Sequence, residues 1–247
     1  MAETILDSFE IGGDRIVIRE VDENDQRIRY LLVNGGEESA CYSEPGMHNE
    51  LKFIYTRKLA QLFEIFPSFQ NSLLIGGGGF SLPRYLISHY PDHTMDVVEL
   101  SPQIVEIAKK YFFLEELREK YDAGKDERLH IIIDEGCHYL STCEKQYDLI
   151  INDAYIGETF YMDFTLGRLG ESVKARLSEN GLYAVNVYSA LTGSEAELLL
   201  KVEAMLKAGF KNVGRLYCPE LHLAANERQN CILLAADSDE SFSKLPI

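Results

Sequence analysis

At 247 residues the chain is long enough for one large α/β domain plus a small accessory piece. It is 46% hydrophobic and 26% charged, an ordinary globular balance, and no apolar run approaches the ~20 residues a membrane span needs. A formal net charge of −16 argues against a nucleic-acid partner, whose phosphates want a basic surface, and suits a cationic small molecule. Most of these carboxylates serve solubility. The N-terminus, MAETILDSFE, lacks a basic stretch followed by an apolar one, so a cytoplasmic protein without a signal peptide is expected. Cys41, Cys137, Cys143, Cys218 and Cys231 are scattered, with no C-x-x-C, and the histidines are dispersed. Reduced thiols and no metal are expected.

Residues 1–44 read as β structure. Arg15–Val21 alternates, Asp22-Glu23-Asn24-Asp25 turns, Arg27–Val33 returns, and Asn34-Gly35-Gly36 is a strong hairpin signal before a third strand over Glu38–Ser43. So small a sheet buries little alone, and packing on the main domain or across a homodimer interface is expected. After the Glu44-Pro45-Gly46 break, a helical period runs from Asn49 to Phe66 and stops at Pro67.

Strands and helices then alternate. Leu73–Ile75 is a short apolar strand that runs into Gly76, Gly77, Gly78 and Gly79, and a helix over Leu82–His89 follows with Pro83 in its first turn. Met95–Val98 is a strand; Ser101 caps the next helix, with Pro102 at its first position. Glu115–Lys125 reads as a charged connection and Leu129–Ile133 as a continuous buried strand. Cys137–Thr142 is a short helix, Tyr147–Ile151 a strand, and Phe164–Leu177 a helix closed by Asn180-Gly181. Leu182–Val187 is a strand, Glu195–Ala208 a helix, and Val213–Tyr217 and Asn230–Ala236 a terminal strand pair. This is an α/β, doubly wound, mostly parallel sheet over residues 49–247, preceded by a β-hairpin domain over residues 1–48.

In such sheets ligands bind at the carboxyl ends of the strands. The glycine turn lets the backbone bend sharply and approach a ligand closely. Glu99 lies 23 residues after Gly76, close to the ~20-residue spacing of a ribose-binding carboxylate. Leu100 serves either an adenine face or the core. Asp134 or Glu135, at the third tip, fits an exocyclic adenine amine; a helix N-cap is equally served by the pair. Asp153, at the fourth tip, is an acceptor-only carboxylate suited to hold an ammonium or take its proton. The loop behind it carries Tyr155, Glu158, Tyr161 and Asp163, which suit an amine with an alkyl chain or a solvated lid.

A dinucleotide site needs a third glycine where this chain has Ser81 or Leu82. A ligand without pyrophosphate, such as S-adenosylmethionine, does not. An NAD-dependent oxidoreductase is therefore the weaker reading.

LLIGGGGFSLPRYL, YPDHTMDVVELSPQIVEIAKKYF, YDLIINDAY and LSENGLYAVNVYS resemble the spermidine synthase-like family in content, order and spacing. The resemblance implies a seven-stranded class I methyltransferase (Rossmann-like) fold with a small N-terminal β domain. It implies binding of S-adenosylmethionine or decarboxylated S-adenosylmethionine and transfer of an aminopropyl or methyl group to a small amine. Gly76–Gly79 match the family's glycine turn, Glu99 its ribose ligand, Glu135 the acidic residue of its third tip, and Asp153 its catalytic aspartate. The chain departs from the aminopropyltransferase pattern in four places. Gly79 replaces the aspartate of G-G-G-D-G-G, and Asp153-Ala154-Tyr155-Ile156 replaces D-S-S-D-P. Glu38 stands where L-D-G-x-x-Q has glutamine, and Y-H-E has only an echo in Met47-His48-Asn49-Glu50. These departures leave open a catalytically silent cofactor-binding or assembly protein.

Overall fold

Three tight turns build the N-terminal sheet. β1 (Glu3–Ile11), β2 (Asp14–Glu23), β3 (Gln26–Val33) and β4 (Gly36–Tyr42) pair antiparallel in that order. Gly12-Gly13, Asn24-Asp25 and Asn34-Gly35 all have positive φ, as two-residue hairpins with the strands' own twist require. The structure is a computed structural model that describes residues 3–121, 128–156, 159–160, 168–218, 220 and 222–246. It has one more N-terminal strand than the three expected. β1 lies at the sheet edge, where Ile5 is 61% exposed, while Phe9 and Ile11 are only partly buried against the core.

Ile16, Ile18, Leu31 and Cys41 of this sheet form one buried cluster with Ile107 and Phe112. Ile107 lies on α3 (Pro102–Tyr111) and Phe112 caps its end. The small sheet is therefore docked on the larger domain by a shared core rather than tethered to it.

The main sheet has the order β12-β13-β11-β8-β5-β6-β7. β5 (Asn71–Ile75), β6 (Thr94–Glu99), β7 (Leu129–Ile133), β8 (Tyr147–Asn152) and β11 (Leu177–Ser189) run parallel. β13 (Gln229–Ala236) runs antiparallel to both β11 and β12 (Asn212–Leu216). A short antiparallel pair, β9 (Tyr155–Ile156) and β10 (Thr159–Phe160), follows β8. Alternate residues feed opposite faces. Leu74 packs with α1 (Ile54–Ile65), α2 (Ser81–His89) and α4 (Leu114–Tyr121). Leu73 and Ile75 pack on the side of α5 (Gly136–Thr142), α6 (Arg168–Arg176) and α7 (Glu197–Gly209). A short α8 (Asp239–Phe242) ends the chain's regular structure. Among the described residues no helix is long and apolar enough to cross a membrane.

Several expectations are corrected. Glu115–Lys125 is not a plain connection: α4 covers Leu114–Tyr121, because Leu114 and Leu117 bury one side of an otherwise charged turn. β7 is a sheet edge, so Leu129–Ile133 is not continuously buried, and Ile133 is 49% exposed. α1 begins only at Ile54, since residues before it turn back along β4 through the Cys41–Leu51 bridge. Asn180-Gly181 does not close a helix. α6 stops at Arg176 and the chain enters β11 at Leu177, with a register shift between Leu177 and Leu182.

β5, β6 and β7 step outward in one direction, while β8 falls on the other side of β5. The crevice between the β5 and β8 tips is the topological switch point, where ligands of doubly wound sheets bind.

Candidate active site

Four consecutive glycines have no side chains to hold their shape, so the surroundings must hold it. Every N–H of the turn is spent inside the protein. Gly76 N–H donates to Val98 carbonyl at 2.9 Å, and Phe80 N–H to Gly77 carbonyl at 2.8 Å. Gly77 and Gly78 N–H both donate to Glu99 Oε2, at 2.8 and 3.3 Å. Gly79 N–H donates to Ser39 Oγ of β4 at 2.9 Å. Phe80 then enters α2 in the left-handed region. Pyrophosphate sites use such N–H groups for the ligand; here none is left over.

Glu99 thus lies against the glycine turn, as its spacing predicts. It is buried, and its Oε1 accepts Ser101 N–H at 2.9 Å. Each carboxylate oxygen has two acceptor sites, so Oε1 keeps capacity for a ligand hydroxyl. Beside it, Leu100 is 60% exposed, which rules out the core role for it. Ile133, the register partner of Glu99, gives the rim a second exposed apolar side chain.

At the third tip the capping role accounts for Glu135, whose two oxygens accept Cys137 and His138 N–H at 2.9 Å each. Asp134 pairs with His138 Nδ1 at 2.8 Å, which holds its carboxyl below the usual range. Asp134 Oδ1 also accepts Glu135 N–H at 2.8 Å, so the carboxylate is held by its own turn as well as by the exposed His138 ring.

Asp153 is held by three elements. Its N–H donates to Ile75 carbonyl at 2.9 Å. Tyr55 of α1 donates its hydroxyl to Oδ2 at 2.9 Å, and Asn186 of β11 donates Nδ2 to Oδ1 at 2.8 Å. The same Nδ2 reaches Asn230 Oδ1 of β13 at 2.9 Å. Burial pushes the Asp153 carboxyl up to about 6, and the hydrogen bonds from Asn186 and Tyr55 oppose that rise.

The sequence reading missed Tyr55, Asn186, Ser39 and Ile133 as members of this rim. Tyr55 falls within the helical period of Asn49–Phe66, where an aromatic residue reads as core. Asn186 carried a usable signal, a polar residue inside the apolar run Ala184-Val185-Asn186-Val187. The Y-H-E echo does not reach Asp153: His48 Nδ1 binds Glu116 at 2.9 Å and its ring stacks on Phe113. Tyr155 opens β9 directly after the Asp153 tip, while Glu158, Tyr161 and Asp163 lie outside the described residues. Among the described residues no group of three or more His, Cys, Asp or Glu side chains could hold a metal ion.

Comparison with known proteins shows the family and the fold. The spermine/spermidine synthase domain model matches residues 52–219. A polyamine aminopropyltransferase of Vibrio vulnificus is 26% identical over 196 residues, which is 75% of this chain and 64% of that protein. The chain thus spans less than two thirds of that relative's length. A probable spermidine synthase from Corynebacterium glutamicum superposes with a TM-score of 0.76 at 22% identity, covering 94% of this chain and 80% of that one. A spermidine synthase in complex with the transition state analogue AdoDATO superposes with a TM-score of 0.74 at 16% identity, covering 98% and 76%. At these identities the two structures share the fold. The chain belongs to the spermine/spermidine synthase family.

Proposed function

We propose that the protein is a transferase that moves an aminopropyl group from decarboxylated S-adenosylmethionine to a small amine. The observation that carries this reading is Asp153: a half-buried carboxylate at the switch point, poised near pH 6 and oriented on both oxygens, one strand from the Glu99-bound glycine turn. Family membership and the aminopropyltransferase relatives support it.

The donor set fits an adenosyl ligand. Glu99 Oε1 retains acceptor capacity for ribose hydroxyls, and Leu100 and Ile133 offer exposed apolar surface to an adenine face. The spent N–H groups of the turn fit a ligand without pyrophosphate and weigh against a dinucleotide. When bound, such a sulfonium ligand supplies an electrophilic carbon: a new N–C bond forms as the C–S bond breaks, and sulfur keeps the electron pair.

Asp153 attracts the acceptor as an ammonium and takes the proton that nitrogen must lose to become a nucleophile. Tyr55 and Asn186 fix the carboxylate so that the acquired proton lies on a positioned oxygen. Holding both reactants at one rim supplies much of the acceleration. The net charge of −16 favours a cationic acceptor over an anionic one.

Methyl transfer from S-adenosylmethionine is the second reading, since the glycine turn and Glu99 would hold either form of the ligand. Calorimetry with S-adenosylmethionine and with its decarboxylated form, followed by incubation with mixed diamines, separates the two. Release of 5′-methylthioadenosine with an aminopropylated amine supports the first reading. S-adenosylhomocysteine supports the second, and binding of neither ligand refutes both.

A further inference from the structure

We infer that Ser39, on the N-terminal sheet, is a positioning residue for the glycine turn, so that adenosyl-ligand binding is linked to docking of that sheet. The inference rests on the reading that the turn and Glu99 hold an adenosyl ligand.

Three observations carry it. Ser39 Oγ is the acceptor for Gly79 N–H at 2.9 Å. The Ser39 side chain also occupies the space beside the turn: a Cβ on Gly78 would lie 2.7 Å from its Oγ, and one on Gly79 would lie 2.8 Å from its Cβ. The contact is reinforced by neighbours on both sides. Ser81 Oγ donates to Ala40 carbonyl at 2.8 Å, and fully buried Arg84 donates to His48 carbonyl and, at 3.3 Å, to Ser81 Oγ. Residues 39–48 therefore grip the turn and the start of α2 at three points.

The physical reason is entropy. A run of glycines loses more backbone freedom on ordering than any other sequence. Glu99 restrains Gly77 and Gly78 from one side; Ser39 restrains Gly79 from the other. Releasing the Ser39 end lets the turn sample shapes in which Glu99 no longer faces the cleft. The two domains keep their apolar contact through Ile16, Ile18 and Phe112 without it, so losing one hydroxyl costs docking little and ligand binding much.

The test uses the full chain with 5′-methylthioadenosine as the calorimetric probe. Ser39→Ala is expected to weaken binding about tenfold, as loss of one oriented hydrogen bond does, and to lower the thermal midpoint by a few degrees, since Gly79 N–H loses its acceptor. In the wild type the probe is expected to slow amide exchange across β4; in Ser39→Ala that slowing is lost. Wild-type affinity together with wild-type exchange in Ser39→Ala would overturn the inference. Gly79→Ala, with Ser39→Gly as its partner, guards against a misfolded single variant. Non-additive effects on probe affinity support the contact and additive effects refute it. If the wild type binds no probe, the ligand reading fails. Exchange at Gly79 N–H in Ser39→Ala then decides the positioning of the turn by itself: faster exchange supports it, unchanged exchange ends it.

Discussion

Gly76 and Asp153 meet across the switch point: a Cβ on Gly76 would lie 2.5 Å from the carbonyl oxygen of Asp153 and 2.9 Å from its carbonyl carbon. Gly76 also sits at φ +93. The obstruction is backbone, which cannot rotate aside as a flexible side chain would. Gly76→Ala is therefore expected to destabilise the protein by about 3–5 kcal/mol, combining left-handed strain with the clash. Denaturant melts measure this. Gly209→Ala is the control, because a Cβ there meets nothing within 4 Å. At the end of α7 it is expected to be neutral or stabilising by about 0.4–1 kcal/mol. Equal losses in the two variants would contradict the packing described.

Asp153 carries opposite consequences for activity and stability. Its folded pKa, about 6, lies above the ordinary aspartate value because burial disfavours the charge. The neutral form favours the folded state, so this group's contribution is greatest below about pH 4. It is lost as pH rises through 6, with a penalty of at most about 3 kcal/mol above that. Asp153→Asn removes the titration while keeping the shape. Its Oδ1 still accepts from Asn186, and the Tyr55 hydroxyl can turn to accept instead of donate. The variant is expected to be more stable than the wild type at pH 8, with the advantage shrinking from pH 6 to pH 4. Its kcat is expected to fall by about 10²–10⁴. Thermal melts across pH and steady-state rates check both halves.

The fold was legible because its signals were local. The glycine turn, the Ser101-Pro102 helix start and the Asn34-Gly35 hairpin each declare themselves within a few residues, and the structure places each where expected. Strand tips were legible for the same reason, since Gly76, Glu99, Asp134 and Asp153 each end an apolar run. The partners of those tips were not. Tyr55 reaches Asp153 across 98 residues, and Ser39 reaches Gly79 across 40. Nothing in helical or strand periodicity encodes which buried polar group another will meet. β1 was missed because its inward face is short and only partly buried: Phe9 and Ile11 pack against the core, while Ile5 and Leu6 are exposed. α4 was missed because two buried leucines among charged neighbours give too weak a stripe.

The Tyr55 hydroxyl stabilises the ionised form of Asp153. Removing it leaves burial less opposed, so Tyr55→Phe is expected to raise the Asp153 pKa above about 6. In the wild type the acidic limb of kcat against pH is expected near 6, with about a tenfold fall per pH unit below it as the base becomes protonated. In Tyr55→Phe that limb is expected to move to higher pH. At pH 8 the rate loss is expected to be about tenfold or less, because the carboxylate is still largely ionised. A pH profile that drops uniformly, with its limb unmoved, would mean that Tyr55 acts on the substrate and not through Asp153.

Glu99 is asked to do two things at once, holding the glycine turn with Oε2 and facing the cleft with Oε1. Glu99→Gln separates them. The amide oxygen can keep the Gly77 and Gly78 N–H groups, but the amide nitrogen then meets Ser101 N–H, donor against donor, where Oε1 had accepted at 2.9 Å. The lost bond and the unpaired donor are expected to cost about 1–3 kcal/mol of stability. The ribose hydroxyls also lose a charged acceptor, and charge-assisted hydrogen bonds are roughly twice as strong as neutral ones. The affinity for 5′-methylthioadenosine is therefore expected to fall about 10- to 100-fold by calorimetry. Asp134→Asn, which removes only the exposed His138 partner, is expected to leave stability near wild type. If Asp134→Asn weakens the probe as strongly as Glu99→Gln, the third strand tip shares the ligand; if Glu99→Gln binds as the wild type does, Glu99 only shapes the turn.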